Sequence, residues 1–294
     1  MQSGPGPPGL PVPLSPLNTA AHFPETPMSR LPQRIVCLST ETVEVLYLLG
    51  EEARIAGISG FTTHPPRARK EKPKVSGFSS AKIERILAVE PDLVLAFSDL
   101  QGEIARDLVK AGVAVHVFNH RSVDGILAMI ETVGRLVGAE ARALALVAEL
   151  EQRIAAVRAA GDARAARLGR RPRVYFEEWN DPLITGIRWV SELIGIAGGE
   201  DCFGELSVHP NAKERILADA SVVIPRAPDL IIGSWCGKHF QPGHVTSRPG
   251  WDAIPAVRNA QVHEIKSAIL LAPGPAAIRE GLPAIAACLD RLTG

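Results

Sequence analysis

The chain has 294 residues, which at roughly 150 residues per domain predicts about two domains, and hydrophobic residues make up 46% of it, enough for two cores. Lys and Arg total 32 and Asp and Glu total 32, so no bulk charge attracts the chain to nucleic acid or to an anionic membrane surface. A continuous apolar run of about twenty residues is absent from the sequence, which argues against a membrane span.

The first 32 residues are rich in proline and read PGPPGLPVPLSPL near their start. Proline at this density predicts a disordered tail over residues 1–32. The tail lacks the charged start and continuous apolar core of a secretory signal. We therefore expect a cytoplasmic protein, with a periplasmic location as the alternative if the N-terminus is mis-assigned; Met28 is a second candidate start.

Short apolar runs alternate with helical patterns over residues 33–121. Ser39 and Thr40 before an apolar-periodic run, and Gly50 after it, are typical helix-capping signals. The alternation predicts a parallel sheet with helices on both faces, an N-terminal α/β lobe. The predicted strands are Arg34–Leu38, Arg54–Ile58, Leu93–Phe97 and Val113–Phe118, and the predicted helices are Val43–Leu49, Ala81–Val89 and Glu103–Ala111.

Residues 122–168 are predicted to be linker helices. A first helix over Ser122–Val137 ends at Gly138, and a run rich in Ala, Leu and Glu follows with no proline before Pro172. One continuous helix to about Arg167 would extend roughly 40 Å and would suit a spine between two lobes. Two helices with a break near Gly161 are the alternative.

Residues 169–294 repeat the organisation of the first half as a C-terminal α/β lobe. Pro-Asp-Leu precedes a buried apolar run in both halves, at Pro91 and again at Pro228. The fold class is therefore α/β, with two Rossmann-like lobes that have parallel central sheets and are joined by a single long α-helix. The predicted elements are strands at Arg173–Phe176, Leu230–Gly233 and Val262–Ile265 and helices at Trp189–Ile196, Ser221–Arg226 and Pro275–Leu292.

Two lobes create a cleft, and ligands of such sheets bind outside the carboxyl ends of the strands. Aromatic residues make up only 5% of the chain, so their concentration after predicted strands is informative. Aromatic faces suit a large, flat, apolar ligand, although any one of them could instead be a core residue. The candidates of the first lobe are Thr40, Phe61, His64, Phe78, Phe97 and Ser98.

The second lobe offers a matching set. Glu178 is favoured over Glu177 as a ligand contact, because successive strand residues point to opposite faces and Glu178 adjoins Trp179. The segment SWCGKHF has the highest concentration in the chain of side chains that could react or bind a ligand. The candidates here are Glu178, Trp179, Trp235, Cys236, Lys238 and His239.

Cys236 and His239 are the candidate metal ligands, and Cys236 is the candidate nucleophile. The favoured interpretation is that Cys236 and His239 belong to a polar wall of the pocket and take no part in covalent chemistry. No resident metal site is predicted. The four cysteines form no CxxC pair and are predicted to be free thiols. Nucleotide-binding loops and the GxSxG motif are absent from the sequence.

The order of the sequence segments along the chain resembles that of the helical-spine (class III) substrate-binding proteins of ABC transporters, and within them that of the cobalamin-binding branch. The resemblance rests on RIVCLSTETVEVLYLLG, GISGFTTHPP with KPKVSGF, IERILAVEPDLVLAF, the spine, and ITGIRWVSELIGIAGGEDCF. It implies a corrinoid held between the lobes, without covalent chemistry and without a required cofactor. Phe61, Phe78 and Phe97 match aromatic positions of that branch, and Trp179 and Trp235 match more loosely.

The resemblance also implies an ABC permease as partner, contacted through one surface glutamate on each lobe. Glu84 matches the first position, whereas Ser221-Val222-Val223 offers no carboxylate at the second. Nucleic acid is not expected as a partner.

Two other functions stay open from the sequence. An iron-siderophore or haem carrier is one, with His64 or His239 as an axial ligand of haem. An enzyme that acts on a corrinoid through Cys236 is the other.

Overall fold

The computed structural model describes residue 1 and residues 30–293. The disorder predicted for residues 1–32 therefore falls almost entirely outside the described residues.

The first lobe is built on a five-stranded, fully parallel sheet in the order β3-β2-β1-β4-β5. The central strands are almost entirely buried, as expected for a parallel sheet covered on both faces. The strands are β1 (Ile35–Cys37), β2 (Ile55–Ser59), β3 (Lys74–Ser76), β4 (Leu93–Phe97) and β5 (Val115–Phe118). The helices are α1 (Thr40–Leu48), α2 (Ala68–Glu71), α3 (Ile83–Leu87) and α4 (Gly102–Lys110), with 3₁₀ turns at Glu52–Arg54 and Asp99–Gln101.

Two helices connect the lobes: α5 (Val123–Leu136) and α6 (Glu140–Leu168). The hydroxyl of Ser122 caps α5 by accepting a hydrogen bond from the N–H of Gly125 at 3.0 Å. The 29-residue α6 is continuous through Gly161 and ends at Gly169, whose φ of 70° provides the left-handed C-cap. The spine is therefore one helix and not two.

The second lobe also contains five strands, in the order β10-β9-β6-β7, with β8 paired to β6. All pairs are parallel except β6 with β7, which is antiparallel. The strands are β6 (Arg173–Asn180), β7 (Leu183–Thr185), β8 (Glu200–Asp201), β9 (Leu230–Gly233) and β10 (Val262–Glu264). The α-helices are α7 (Arg188–Ile196), α8 (Pro242–Thr246), α9 (Pro255–Arg258), α10 (Ser267–Leu270) and α11 (Leu282–Asp290).

Short 3₁₀ and π-helical segments form other connections of this lobe. The 3₁₀ turns are Ala212–Arg215, Ala220–Arg226, Trp251–Ala253 and Arg291–Thr293, and a π-helical turn, Ala277–Gly281, runs into α11.

Three local predictions differ from the structure. The helix expected over Ser221–Arg226 is a 3₁₀ helix from Ala220, because Pro225 lies inside it and cannot donate a backbone hydrogen bond. The sequence predicts no strand or helix between Ile58 and Ala81, whereas the structure has the short helix α2 and the edge strand β3 there. The hairpin partner β7 was also missed, because its three residues give too short a pattern to recognise.

The hydrophobic interior holds the two lobes together along the spine. One buried cluster includes residues of β1 and β4 in the first sheet, β6 and β9 in the second, and the helices α5, α6, α7 and α11, and so spans both sheets. A Cβ at Gly161 of α6 would lie 2.7 Å from the backbone of Ala197, directly after α7. Glycine therefore permits a close approach between the spine and the second lobe. No helix in the described part of the chain has the length and apolar character needed to cross a bilayer.

Candidate ligand-binding cleft

The loops that follow the strands of the first sheet contact residues 273–280 of the second lobe. His120, two residues after β5, places its Nε2 2.8 Å from the carbonyl oxygen of Pro273. The Glu44 carboxylate on α1 accepts a hydrogen bond from the N–H of Ala276 at 3.1 Å. The strand ends of the first lobe thus face the second lobe, and this junction is where the strand-end rule predicts the ligand to bind.

Three aromatic side chains of the first lobe differ in their availability to a ligand. The Phe61 ring is 68% exposed, whereas Phe78 is half-buried against the core. Phe97 is buried, and its ring packs edge-on against His120, with ring centroids 5.3 Å apart. The guanidinium of Arg121 lies 4.9 Å from the centroid of the same ring. Phe97 therefore supports the polar groups above it and exposes little surface of its own.

The other candidates in the first lobe organise its loops. The Thr40 hydroxyl accepts hydrogen bonds from the N–H groups of Thr63 (3.0 Å) and His64 (3.1 Å), and so joins α1 to the loop after β2. Ser98 is buried, has a φ of 65° and accepts a hydrogen bond from Leu100 N–H at 3.3 Å. The His64 ring lies 3.7 Å from the carboxylate of Glu280 in the second lobe. The hydrogen bonds of Thr40 and Ser98 hold the loops in place, so we assign these two residues a structural role in the loops.

Trp179 and Lys238 form an accessible surface in the second lobe. The Lys238 ammonium lies 5.4 Å from the centroid of the half-buried Trp179 ring and donates a hydrogen bond to Asn180 Oδ1 at 3.2 Å. The Trp179 indole N–H donates to the carbonyl oxygen of Asp181 at 2.8 Å. This fixed, amphipathic face is suited to stacking against a flat ligand.

Trp235 does not line the cleft as expected, since only 1% of it is exposed. Its ring packs edge-on against Phe240, and its indole N–H donates to Glu177 at 3.0 Å. Glu177 is fully buried and also accepts hydrogen bonds from Tyr175 and, through both carboxylate oxygens, from Arg248. Trp235 and Glu177 thus belong to a buried polar network that attaches the loop after β9 to β6.

Glu178 is not free to bond a ligand as expected. Its carboxylate accepts two hydrogen bonds from Arg215, at 2.6 Å and 3.3 Å. Arg215 is 1% exposed and also donates to the carbonyl oxygen of Thr185. The pair neutralises two charges that would be costly to bury separately.

Cys236 is exposed, but it is poorly suited to act as a nucleophile. Partial burial raises the pKa of its thiol, and the nearby Glu178 carboxylate raises that pKa further. The thiol is therefore protonated at neutral pH, and the thiolate is the reactive form. His239 is 83% exposed on its side chain, and its closest acidic neighbour is Glu264 at 3.7 Å. No cluster of three or more potential metal-ligating side chains occurs among the described residues.

Arg121 lies next to His120 at the contact between the lobes and is absent from the residues predicted from the sequence. It lies three residues after β5, so the strand-end rule that identified Phe61 and Phe97 would also have found it. Its guanidinium donates to the carbonyl oxygen of His120 at 2.9 Å and lies 3.5 Å from Asp99 Oδ1. The same rule would not have found Arg215, because in the sequence it lies many residues away from any predicted strand end.

Two glutamates at the start of α1 are buried at the contact between the lobes. Burial raises the pKa of Glu41, and it raises that of Glu44 to about 8, with the negative charge of Glu280 adding to the second shift. A Cβ at Gly274 would lie 3.2 Å from the Glu41 side chain and from Glu44 Oε2. A larger residue than glycine would therefore separate these surfaces.

A concave surface of about 840 Å³ lies along the spine. It is lined by Leu127 of α5, Ile154 and Ala159 of α6, and Ile196 of α7, with charged residues among them. None of the predicted site residues lines it, so it is a separate feature from the cleft.

Comparison with known proteins places this architecture in a family. The sequence profile described as periplasmic binding protein matches residues 35–269, which is most of the chain. The chain belongs to the periplasmic binding protein family. A cobalamin-binding protein of Halobacterium salinarum is 30% identical over 207 residues, covering 68% of this chain and 53% of that protein. This periplasmic binding protein thus spans about half the length of that relative.

Other relatives match over more of their length. A vitamin B12-binding protein of Vibrio campbellii is 29% identical, with 80% of this chain and 82% of that protein covered. Among solved structures, the periplasmic vitamin B12 binding protein of Vibrio cholerae has a TM-score of 0.71 at 20% identity, covering 89% of this chain and 98% of that one. A periplasmic heme binding protein from Pseudomonas aeruginosa has a TM-score of 0.75 at 21% identity, covering 88% and 93%. These structures confirm the bilobal α/β fold.

The expected cytoplasmic location is wrong. The family is one of periplasmic binding proteins, and a relative from Bacillus subtilis, 24% identical over 87% of this chain and 79% of its own length, is an ABC transporter substrate-binding lipoprotein. Both point to an extracytoplasmic location. The prediction failed because it relied on the composition of the first 32 residues, while the evidence for location lies in the folded part of the chain.

Proposed function

We propose that this protein binds cobalamin or a related corrinoid, without catalysing a reaction, in the cleft between its two lobes. The observation that carries the proposal is the match to vitamin B12-binding proteins over four-fifths of the chain. The cleft chemistry is compatible with it, because Phe61 and the Trp179–Lys238 face offer apolar and cationic contacts to a large ring with amide substituents.

Co-elution with hydroxocobalamin tests the proposal. Purified protein is mixed with the ligand and passed through a desalting column, and we expect the red chromophore to elute with the protein near one equivalent. Trp179→Ala should release more of the ligand than the matched surface variant Leu144→Ala, since Leu144 is an exposed residue of the spine helix α6. Colourless protein fractions would refute the corrinoid function.

The absorbance bands of the complex also test whether cobalt gains a protein ligand. The raised pKa of Cys236 makes us expect no thiolate ligation. The spectrum of Cys236→Ser should then match that of the unaltered protein. A band shift lost in Cys236→Ser would instead assign the thiol as a ligand and would revive an enzymatic role for this residue.

Haem is the second candidate ligand, favoured by one observation in the cleft. His64 is half-buried beside Glu280 at the lobe contact, where it could reach a ligand. Binding of hemin with a Soret shift that disappears in His64→Ala would support this function over the corrinoid. His209→Ala is the matched control, since His209 is a partly exposed histidine beside Glu214 and is not a candidate ligand. Loss of the shift in His239→Ala would instead assign the axial ligand to His239.

We further propose that an ABC permease is the partner and that Asp219 supplies the docking carboxylate that Ser221-Val222-Val223 lacks. Glu84 is exposed in the first turn of α3, before β4. Asp219 is exposed at the corresponding place before β9, where it caps the 3₁₀ helix Ala220–Arg226. The hydrogen bond from Ser221 N–H lowers the pKa of Asp219 and keeps it ionised.

Charge removal tests the docking proposal. Glu84→Gln with Asp219→Asn should abolish capture of a detergent-solubilised permease from the same transport system while leaving cobalamin binding intact. The pair Glu140→Gln with Glu151→Gln, both exposed on the spine helix α6, is the control for the change in net charge. Equal capture by both double variants would contradict the proposal.

A further inference from the structure

Arg121 carries a positive charge at the point where the two lobes meet. Its guanidinium is held over Phe97 by the ring and by the hydrogen bond to the His120 carbonyl oxygen, while His120 itself contacts Pro273 of the second lobe. The Arg121 side chain is 17% exposed. A guanidinium fixed in this way is preorganised to bind an oxyanion through its N–H groups.

The groups around Arg121 do not cancel its charge effectively. Its carboxylate neighbour Asp99 is 64% exposed on its side chain and lies at the 3.5 Å limit of a hydrogen bond. Glu41, which is close enough to interact, is buried, and burial raises its pKa toward the neutral form.

The second lobe adds another positive group near Arg121. Burial is the main cause that lowers the pKa of Arg121, and the positive charge of Arg215 lowers it further. The charge of Arg215 is already balanced by Glu178. Arg121 thus has the more loosely held carboxylate partner of the two arginines, since Asp99 is largely exposed, and we take Arg121 as the group whose charge a negative charge on the ligand would balance.

We propose that Arg121 forms an oxyanion subsite at the junction of the lobes and that it binds the phosphodiester of a complete corrinoid. This inference rests on the proposed corrinoid function and makes it more specific. A complete corrinoid carries its lower nucleotide through a phosphodiester, whereas cobinamide has the same ring and lacks that group. The subsite would thus make the protein selective for complete corrinoids over cobinamide.

The test compares cyanocobalamin with dicyanocobinamide by titration calorimetry. The two ligands are both neutral overall, so their comparison isolates the local phosphodiester charge. We expect Arg121→Gln to weaken cyanocobalamin binding by roughly tenfold to a hundredfold, the range for a hydrogen bond to a charged group, and to leave dicyanocobinamide binding unchanged. Arg121→Lys should recover part of the affinity, because it restores the charge without the planar fork.

Arg106→Gln is the matched control, since Arg106 is an exposed arginine of α4 that pairs with Glu103 and Asp107. It removes the same charge outside the cleft and should bind both ligands like the unaltered protein. Thermal melts of all variants check that they fold.

The outcomes separate this inference from the proposed function. Equal weakening of both corrinoids by Arg121→Gln, or no weakening of either, would overturn the phosphodiester subsite while the corrinoid function stands. If the unaltered protein binds neither corrinoid, the proposed function and the phosphodiester assignment fail together. Hemin, which carries carboxylates, is then titrated: a loss of affinity in Arg121→Gln would retain an oxyanion subsite at Arg121, and unchanged binding would remove it.

Discussion

Trp179 and Trp235 both come after strands predicted from the sequence, Arg173–Phe176 and Leu230–Gly233, and look equivalent there, yet the structure gives them different roles. The indole of Trp179 is half-buried and bonds the carbonyl oxygen of Asp181 nearby in the chain. The indole of Trp235 is buried and bonds Glu177 on the neighbouring strand β6. The first is available to a ligand, and the second is a part of the core.

Alanine substitutions should separate these two roles. We expect Trp179→Ala to lower corrinoid affinity by about 1–3 kcal/mol with little change in stability, as for an interface aromatic anchor. Trp235→Ala should lower the free energy of unfolding by about 3–5 kcal/mol, the range for removing a large buried aromatic. Urea unfolding and ligand titration measure the two quantities. A loss of affinity in Trp235→Ala per folded molecule equal to that in Trp179→Ala would contradict the assignment.

At the scale of single elements, buried contacts determine how the loop after β9 and the spine are held. Arg248, just after α8, forms two hydrogen bonds with Glu177 of β6, at 2.6 Å and 2.9 Å. This pair fixes the loop that carries Cys236 and Lys238 relative to the sheet. Along the spine, the contact between Gly161 and the segment after α7 requires the absence of a side chain.

Breaking the Glu177–Arg248 pair should be costly, because the remaining partner would be a buried, uncompensated charge. We expect Glu177→Leu and Arg248→Met each to destabilise the protein by about 3–5 kcal/mol. The double variant should lose less than the sum of the single variants, since neither charge then remains. A double-mutant cycle by urea unfolding measures this coupling, and strictly additive losses would show that the pair does not interact as described.

Gly161→Ala should destabilise the protein even though alanine is the better helix former. The added methyl group would lie 2.7 Å from the Ala197 backbone, and such overpacking costs about 1–3 kcal/mol. Gly195→Ala in α7 is the matched control, because no atom lies within 4 Å of its added Cβ; it should stabilise by up to about 1 kcal/mol. Melting temperatures of the two variants should shift in opposite directions, and a stabilised Gly161→Ala would contradict the close approach.

At the scale of the whole molecule, residues 273–280 of the second lobe pack on the start of α1 in the first. The groups that face Glu44 are the N–H of Ala276 and the charged side chains of Glu41, Arg279 and Glu280. His64 contacts Glu280 from the loop after β2. The protonation state of Glu44 therefore affects how firmly the lobes are joined.

The stability of the protein should decrease with pH through Glu44. Its pKa is raised from 4.5 to about 8 in the folded state, chiefly by burial, so the folded state holds the proton more tightly than the unfolded state does. The stabilisation from Glu44 is fully present below its unfolded-state pKa of 4.5 and is lost as the pH rises to its folded-state pKa of about 8. Its magnitude is on the order of a few kcal/mol.

Glu44→Gln should remove this dependence and be more stable than the unaltered protein above about pH 8, because the amide can still accept the Ala276 hydrogen bond. Urea unfolding between about pH 5 and about pH 9 measures it. The exposed Glu84→Gln is the control and should retain the original pH profile. Parallel profiles for Glu44→Gln and the unaltered protein would contradict the prediction.

The sequence by itself determined the alternation of strands and helices, the bilobal fold and the long spine. These features follow from local patterns: apolar runs, helical periodicity, capping residues and the proline before each repeated strand. The position of Phe61 after β2 also follows from the sequence, since parallel strands end at the same edge of a sheet. Trp179, predicted to follow a strand, instead lies inside β6, which extends to Asn180 by pairing with β7.

The tertiary structure alone decided which of these residues are accessible and what balances their charges. Burial of Trp235, the pairing of Glu178 with Arg215 and the contact of Glu44 with Ala276 join residues that lie 37 or more positions apart. No local pattern encodes such contacts, because a side chain's environment depends on the segments that fold against it. The charges around Arg121 come from Asp99 of its own lobe and Arg215 of the other, so its electrostatic environment exists only once the lobes have packed together.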